Sequence, residues 1–249
     1  MNPQEKFKKD KYVLFDDVLS KDMCDFLTNY LQLKKEAGYM TPPVSLGGDD
    51  LQCPKSWSIY GDPAFDAILL QLTPALSQLL GMRLIPAYTY ARIYEPGEVL
   101  EWHRDRPSCE ISGTMTLGMG NPKEKWPIYV GHPDATEGSQ KVGVPVDIGI
   151  GELMMYSGCE VPHWRDEYEG TWQAQVFFHY VREDGPYAQE CVYDGRPSLG
   201  IFKNSKEYEI QNKRIIEWAN AKVAGNPVVT QQAKPIEPQD TTKPFKFEV

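Results

Sequence analysis

Histidine is the residue type here with the greatest capacity for metal binding, and the chain has four: His103, His132, His163 and His179. His103 belongs to the segment Trp102-His103-Arg104-Asp105. Residues i and i+2 of a β-strand point to the same face of a sheet. His103 and Asp105 are therefore predicted to present an imidazole and a carboxylate to one metal ion from a single strand.

The third ligand of such a site is predicted to come from a later strand. A strand-borne His-x-Asp supplies two ligands of a 2-His-1-carboxylate triad, the site type of non-haem Fe(II) oxygenases, which leaves coordination positions open for reactants. His163 follows the apolar run 151–158, whose pattern predicts an inner strand that ends in a turn. The sequence thus predicts a metal site of His103, Asp105 and His163.

Ordinary structural roles compete with this hypothesis at each residue. An isolated His-x-Asp is most often a pair of polar surface residues, and a lone histidine is more often buried and hydrogen-bonded than bound to metal. His132 lies in a turn rich in Gly and Pro, and His179 lies in the strand-like run 175–181, so both are predicted to be structural. The metal hypothesis depends on the coincidence of the motifs within one predicted β-fold.

The elements that must position these residues are short β-strands. Between residues 83 and 182 the pattern changes to period two, and Gly and Pro interrupt nearly every gap. The predicted strands are 84–94, 98–103, 109–118, 126–130, 142–148, 152–157 and 172–182. Strands at this spacing predict a mainly β protein with flanking helices (α+β), built on a double-stranded β-helix, or jelly-roll, core.

Helices are predicted on both sides of this β-region. Ser20 is predicted to cap a first helix and Asp62 a second, since short polar side chains accept hydrogen bonds from the first free backbone N–H groups. The intervening residues 39–58 are rich in Pro, Gly and Asp, which predicts a loop. A last amphipathic helix is predicted for 205–225.

Length and composition limit the classes of protein that fit. The 249 residues fit one domain, 1–225, followed by a flexible or draped tail, 226–249. The net charge of −9 argues against nucleic acid or a membrane as partner, since both require a cationic surface, and it favours a neutral or basic substrate. Five scattered cysteines without C-x-x-C, and no long apolar run, predict a cytoplasmic protein without disulfides. The oligomeric state is not indicated.

A larger set of motifs resembles a known family. Tyr94 followed by Pro96-Gly97 leads into the His-x-Asp motif, and the run Gly151–Ser157 precedes His163. With the predicted strands over residues 84–182, this set resembles the Fe(II)/2-oxoglutarate-dependent dioxygenases, in particular their prolyl-hydroxylase-like branch. No single motif of the set is specific, but the combination is.

The resemblance implies a reaction and its cofactors. It implies Fe(II), with 2-oxoglutarate as cosubstrate and O2 as oxidant, and hydroxylation of an unactivated C–H bond while 2-oxoglutarate is decarboxylated to succinate and CO2. The branch favours a prolyl residue in a peptide or protein as substrate. A free amino acid, a sugar or another small molecule stays open, because a fold alone does not select a substrate.

One feature departs from the family pattern. The family usually places an Arg or Lys shortly after the second histidine to pair with the far carboxylate of 2-oxoglutarate, but residues 172–174 are Trp, Gln and Ala here. A buried dianion still needs a positive partner. Arg165 is the first candidate, Arg92 the second and Arg106 the third.

Two hydroxyl groups complete the predicted cosubstrate site. Tyr94 matches the tyrosine with which the family hydrogen-bonds the cosubstrate, and Thr116 could supply a second hydroxyl. The competing interpretation of Tyr94 is plain core packing. Arg165 could instead be a surface residue paired with Asp166 or Glu167.

Two other functional hypotheses remain compatible with the sequence. The first is a non-catalytic jelly-roll binding module in which the histidines have no metal. The second is a metal enzyme of the cupin type that does not use 2-oxoglutarate. The missing cation after His163 keeps this hypothesis open, because such an enzyme would not need it. Metal uptake distinguishes the first from the leading hypothesis, and succinate release distinguishes the second.

Overall fold

The computed structural model describes residues 1–121, 125–136 and 141–201. The predicted helix 205–225 and the tail 226–249 lie outside the described residues, as does the end of the predicted domain 1–225. The helices of the described part are α1 (Pro3–Asp10), α2 (Lys21–Glu36), α3 (Pro63–Leu80) and α4 (Ala188–Cys191). Among them, none is both long enough and apolar enough to cross a membrane.

The strands form two antiparallel sheets. They are β1 (Tyr12–Phe15), β2 (Trp57–Tyr60), β3 (Leu84–Tyr94), β4 (Leu100–His103), β5 (Ile111–Met119), β6 (Ile128–Gly131), β7 (Gly143–Val146), β8 (Leu153–Tyr156), β9 (His163–Arg165) and β10 (Gln173–Arg182). The major sheet has the order β1-β8-β5-β10-β3-β2, and the minor sheet has the order β4-β9-β6-β7. Side chains of both sheets share one apolar cluster, in which Ile128 and Val130 of the minor sheet pack with Met154 of the major sheet. The predicted jelly-roll core with flanking helices is confirmed.

Each predicted strand between residues 84 and 182 is present, with ends that differ by a few residues. Helices α1 and α4 and strands β2 and β9 are additional to the predicted elements. Strand β2 begins inside the predicted loop 39–58. Strand β9 begins at His163, in a stretch without a predicted strand. Helix α1 has its signal in the sequence, since Asn2 and Glu5 form a reciprocal capping box and Pro3 stands at the first helical position.

The two long helices begin where their caps predict. The Ser20 hydroxyl accepts a hydrogen bond from the Met23 N–H, and the Asp62 carboxylate accepts one from the Ala64 N–H. Helix α3 ends at Gly81, whose φ of +66° lies in the left-handed region that glycine adopts without strain. Apolar side chains of α2 and α3 share the main core with the outer faces of β3, β5 and β10.

The inner face of the major sheet carries a polar and aromatic ladder, because alternate residues of a strand share a face. Its first rung is Tyr88, His179 and Ser112, one from each of β3, β10 and β5. The following rungs are Tyr90, Phe177 and Thr114; then Arg92, Gln175 and Thr116; then Tyr94 and Gln173. This ladder faces the minor sheet and forms the floor on which the site is built.

A buried ion pair fastens the segment after α4 to this framework. Arg196 Nη1 lies 2.9 Å from Asp66 Oδ2 on α3, and the two side chains are 0% and 2% exposed. Removing one partner of such a pair leaves an uncompensated buried charge and costs about 3–5 kcal/mol. We expect Arg196→Met to lower the free energy of unfolding in urea by about this amount.

The exposed pair of Arg83 and Glu183 provides the control for this experiment. Its side chains are 81% and 46% exposed, so the interaction is screened by water. Arg83→Met is expected to leave the free energy of unfolding nearly unchanged. Equal losses in the two variants would contradict the structural role given to Arg196.

Candidate functional site

The three predicted metal ligands come together between the sheets. His103 ends β4 and His163 begins β9, and the two residues pair directly across these antiparallel strands. Asp105 Oδ1 lies 3.6 Å from Nε2 of His103 and 3.4 Å from Nε2 of His163. One donor atom from each residue falls within 4.8 Å of the others. Two imidazoles and one carboxylate could therefore bind a single ion.

Backbone groups fix the orientation of these ligands. Nδ1 of His103 is 2.8 Å from the Glu101 carbonyl, and Nδ1 of His163 is 3.1 Å from the Val161 carbonyl. Since a carbonyl only accepts, each Nδ1 carries a proton, and Nε2 is the ring atom of each histidine that is left to bind a metal. Burial alone would raise the pKa of Asp105, but the two histidines lower it well below its usual range.

Gly158 makes room for the carboxylate of Asp105. The Gly158 carbonyl accepts the Asp105 N–H at 2.9 Å. A Cβ at Gly158 would lie 2.3 Å from Asp105 Oδ2, which is closer than two such atoms can approach. Glycine is therefore required here for the carboxylate to reach its position beside the histidines.

His103, Asp105 and His163 line a cavity of about 540 Å³. This is within the usual volume of small-molecule sites. Its wall combines aromatic rings with polar groups, among them Tyr60, Tyr88, Tyr90, Arg92, Arg106, Tyr156, Phe177 and His179. Rings pack against one another in this wall: Tyr60 stacks on Tyr88 with centroids 5.0 Å apart, and the tilted ring of His179 lies 4.4 Å from that of Tyr88.

Arg165 stands two residues after His163 on β9 and is fully buried, with 2% of its surface exposed; like Tyr94, it is not among the residues that line the cavity. Its Nη1 donates to the Trp126 carbonyl, and its guanidinium lies 4.5 Å from the centre of the Trp126 ring. Nη2 has no hydrogen-bond partner within the described residues, and no carboxylate there forms an ion pair with this side chain. Burial lowers the pKa of Arg165. The predicted alternative, a surface pair with Asp166 or Glu167, is wrong.

Tyr94 lies beside this guanidinium. Its side chain is fully buried, its ring packs edge-on against Trp126 at 4.8 Å, and its hydroxyl has no hydrogen-bond partner among the described residues. Burial raises the pKa of Tyr94, so the hydroxyl keeps its proton and can donate. A buried cation and a buried hydroxyl, both without full partners, are the polar groups that an anionic ligand would satisfy.

The other two arginine candidates are already paired. Arg92 donates to both carboxylate oxygens of Asp50, with Nη2 2.8 Å from Oδ2, and also to Gln52. Arg106 donates to both oxygens of Asp194, at 2.6 and 3.0 Å. Both lie on the cavity wall, but their charges are compensated by carboxylates from distant parts of the chain.

Thr116 belongs to the floor and does not line the cavity. Its hydroxyl lies 2.9 Å from the Ile148 carbonyl and 3.1 Å from Gln175 Oε1, so its proton is shared by protein groups. Gln173, at the place where the family carries its cation, donates to the same Gln175 oxygen at 2.8 Å. The position of the missing cation is thus occupied by a neutral side-chain amide that is hydrogen-bonded to a second amide.

Several residues of the site gave no signal in the sequence. Gln52 lies in the loop before β2, yet its Nε2 is 3.0 Å from Nε2 of His103. Asp50 of the same loop accepts a hydrogen bond from the Tyr90 hydroxyl at 2.8 Å. Neither residue stands in a recognisable motif, and only the folded loop brings them to the cavity. His132 is exposed and lies apart from the site, as predicted.

A second group of donors lies against Asp105. One atom each of Asp105, Cys109 and His179 falls within 4.8 Å of the others. Cys109 Sγ is 3.0 Å from the Tyr88 hydroxyl, and burial raises the pKa of this thiol well above its usual value. Burial lowers the pKa of His179 to about 4, so its imidazole is neutral. These groups are engaged in hydrogen bonds within the wall.

Asp194 gives the folded state an acid-sensitive contact. It accepts from the hydroxyls of Tyr60 and Ser108, each at 2.6 Å, and from Arg106. Burial alone would raise the pKa of Asp194, but these donors hold it well below its usual range. As the pH falls below about 4, the Asp194 carboxylate therefore takes up a proton in the unfolded chain before it does so in the folded protein. Protonation then favours the unfolded chain, and the free energy of unfolding decreases.

We expect Asp194→Asn to reduce the dependence of the unfolding free energy on pH below about 4. The measurement is urea unfolding at a series of pH values, with the exposed Asp134, 91% of whose side chain is accessible, changed to Asn as the control. An unchanged acid slope in Asp194→Asn would show that this carboxylate does not carry the effect.

Comparison with solved structures identifies the fold. A prolyl-4-hydroxylase from Pseudomonas putida is 18% identical, with a TM-score of 0.54 over 72% of this chain and 96% of that chain. The non-heme alpha ketoglutarate dependent carbocyclase SnoK from nogalamycin biosynthesis is 14% identical, with a TM-score of 0.59 over 82% of this chain and 93% of that chain. HygX from Streptomyces hygroscopicus, solved with nickel, 2-oxoglutarate and hygromycin B, is 13% identical, with a TM-score of 0.54 over 75% of this chain and 89% of that chain.

The likeness lies in the three-dimensional arrangement. No protein-family model matches the chain, and no curated protein matches it by sequence. Matched structures include a member of the 2OG-Fe(II) oxygenase family from Burkholderia pseudomallei, with a TM-score of 0.51 and 13% identity. The chain therefore has the fold of the Fe(II)- and 2-oxoglutarate-dependent oxygenases that its sequence resembles.

Proposed function

We propose that this protein is an Fe(II)/2-oxoglutarate-dependent oxygenase that hydroxylates an unactivated C–H bond of its substrate. The observation that carries the proposal is the combination of a 2-His-1-carboxylate cluster with the buried, incompletely partnered Arg165, which stands two residues from His163 on β9. The first feature suits a metal with open positions, and the second suits an anion bound beside it.

The donor set fits Fe(II). His103, Asp105 and His163 would hold the ion through two Nε2 atoms and Oδ1, on one side only. The oxidising chemistry would come from Fe(II), 2-oxoglutarate and O2 together, with release of succinate and CO2. The protein's part is to keep three coordination positions accessible from the cavity and to exclude bulk water.

The unpartnered polar atoms of Arg165 and Tyr94 suit the far carboxylate of 2-oxoglutarate. Arg165 would bind the far carboxylate through Nη2, and the Tyr94 hydroxyl would donate to the same group. A carboxylate here would neutralise the buried guanidinium of Arg165, which has no acidic partner within the described residues. Arg92 and Arg106 are weaker candidates because Asp50 and Asp194 already neutralise them, and Thr116 is weaker because its hydroxyl already donates to protein oxygens.

The substrate would occupy the aromatic part of the cavity, beside Tyr60, Tyr88 and Tyr90. A prolyl residue in a peptide or protein is our first choice, which the likeness to the Pseudomonas putida prolyl-4-hydroxylase supports. A small molecule is the second, since the HygX structure contains hygromycin B. We retain the predictions of no nucleic-acid or membrane partner and of a cytoplasmic location as proposals.

The direct test is succinate formation by the purified protein. Incubation with Fe(II), 2-oxoglutarate and O2 is expected to give succinate slowly alone and faster with a substrate, and prolyl peptides are the first candidates. Omission of Fe(II) or of O2 is the control. Metal uptake without 2-oxoglutarate turnover would favour the cupin-type enzyme. If the protein takes up no iron and is not stabilised against heat by metal with 2-oxoglutarate, the binding module is favoured.

A further inference from the structure

The two oxygens of the Asp105 carboxylate have different surroundings. Oδ1 faces the imidazoles of His103 and His163, at 3.6 and 3.4 Å. Oδ2 points the other way, and lies 2.9 Å from the hydroxyl oxygen of Ser112. Ser112 is fully buried, and the same oxygen lies 2.9 Å from Nδ1 of His179.

The positions of the protons follow from the chemistry of these groups. The Ser112 hydroxyl has one proton and faces the Asp105 carboxylate, the Cys109 carbonyl and Nδ1 of His179. The first two can only accept, and the hydrogen bond to the charged carboxylate is the strongest. His179 therefore carries its proton on Nδ1 and donates to Ser112, which donates in turn to Asp105 Oδ2.

The framework makes this chain of hydrogen bonds rigid. Ser112 and His179 pair directly across β5 and β10, in the middle of the major sheet. The His179 ring packs at 4.4 Å from Tyr88 and parallel to Phe177 at 6.3 Å. Asp105, by contrast, follows the short edge strand β4 of the minor sheet. The chain thus connects a residue just after an edge strand to the centre of the opposite sheet.

We propose that Ser112 and His179 are positioning residues that hold Asp105 as a one-oxygen metal ligand, an inference that rests on the proposed function. With Oδ2 held by Ser112 and confined beside Gly158, only Oδ1 faces the histidines. A carboxylate free to rotate could bind a metal through both oxygens and use a position that reactants need. The hydrogen bonds therefore set the metal affinity and the number of open positions.

The test uses metal binding, which does not depend on turnover. Mn²⁺ affinity is measured by calorimetry, and the visible spectrum of bound Co²⁺ reports the ligand geometry. Ser112→Ala is expected to weaken Mn²⁺ binding about 10–100-fold, as loss of such supporting hydrogen bonds typically does, and to change the Co²⁺ spectrum. Thr114→Val removes the next inward hydroxyl of β5, which bonds to Gln175, and is expected to change neither.

Variants of His179 test whether it acts through Ser112. His179→Leu removes the donor, and is expected to weaken Mn²⁺ binding less than Ser112→Ala does. His179→Asn keeps an N–H donor near the Nδ1 position and is expected to restore most of the affinity. The double variant of Ser112→Ala with His179→Leu should bind no more weakly than Ser112→Ala alone, since the effect of His179 passes through the serine.

The outcomes separate this inference from the proposed function. If the wild-type protein binds no divalent metal, the proposed function fails, and this inference fails with it. If the wild type binds metal and Ser112→Ala binds equally well with the same Co²⁺ spectrum, only the positioning role is overturned. Should Ser112→Ala fail to fold, the comparison of His179→Leu with His179→Asn decides, and equal affinities in that pair would reject the role of His179.

Discussion

Replacement of His103 by alanine is expected to abolish succinate formation and stoichiometric iron binding. His103 and His163 contribute the two imidazoles of the cluster, and Asp105 contributes a carboxylate oxygen that lies within reach of both. Two remaining ligands would leave Fe(II) exposed to exchange with solvent, because affinity at such sites depends on the number and geometry of the ligands. The measurements are bound iron per chain and succinate released.

The matched control for this prediction is His132→Ala. His132 has the same side chain but is 74% exposed and lies apart from the cavity. We expect this variant to retain both iron and activity. Turnover that survives in His103→Ala, with the chain folded, would reject the metal assignment and with it the proposed reaction.

The second large effect is expected at Arg165. Arg165→Ala should raise the concentration of 2-oxoglutarate needed for half-maximal rate by about 30-fold or more, because loss of one partner of a buried, hydrogen-bonded charge pair costs about 2–5 kcal/mol. Metal binding should persist, since Arg165 contributes no atom to the cluster. Thermal stabilisation by 2-oxoglutarate gives a second measurement that is independent of turnover.

Two further variants sharpen this prediction. Arg165→Lys keeps the charge but loses the planar fork, so an intermediate requirement for 2-oxoglutarate is expected. Arg92→Ala leaves Asp50 without its cationic partner and should lower stability, while the 2-oxoglutarate requirement changes much less. A strong rise in that requirement in Arg92→Ala, with little change in Arg165→Ala, would assign the cosubstrate to the other arginine.

The fold was largely predictable because its signals are local. Period-two alternation and turn residues located seven of the eight strands described in the region 84–182, and capping residues located α2 and α3. The additional strands β2 and β9 show no alternation: the burial of β2 does not alternate along Trp57–Tyr60, and β9 has three residues that are all buried. They form because longer neighbours pair with them, β3 in one case and β4 and β6 in the other.

The candidate metal cluster was predictable for the same reason. His103 and Asp105 are two residues apart, so the backbone itself directs both to one side. His163 needed a further assumption, that its strand returns beside the first, and the register of β4 with β9 agrees with it. The metal role of all three stays a prediction until iron is measured.

The sequence by itself determined the kind of fold and three candidate ligands, because strand alternation is a property of neighbouring residues. It left Arg165, Arg92 and Arg106 as alternatives. Only the tertiary structure distinguishes them, because the availability of a charge depends on its partners: Asp50 and Asp194 come from distant segments and neutralise two of the arginines, and the third remains buried without a carboxylate among the described residues. The same holds for Ser112 and His179, far apart in sequence and joined only by the pairing of β5 with β10.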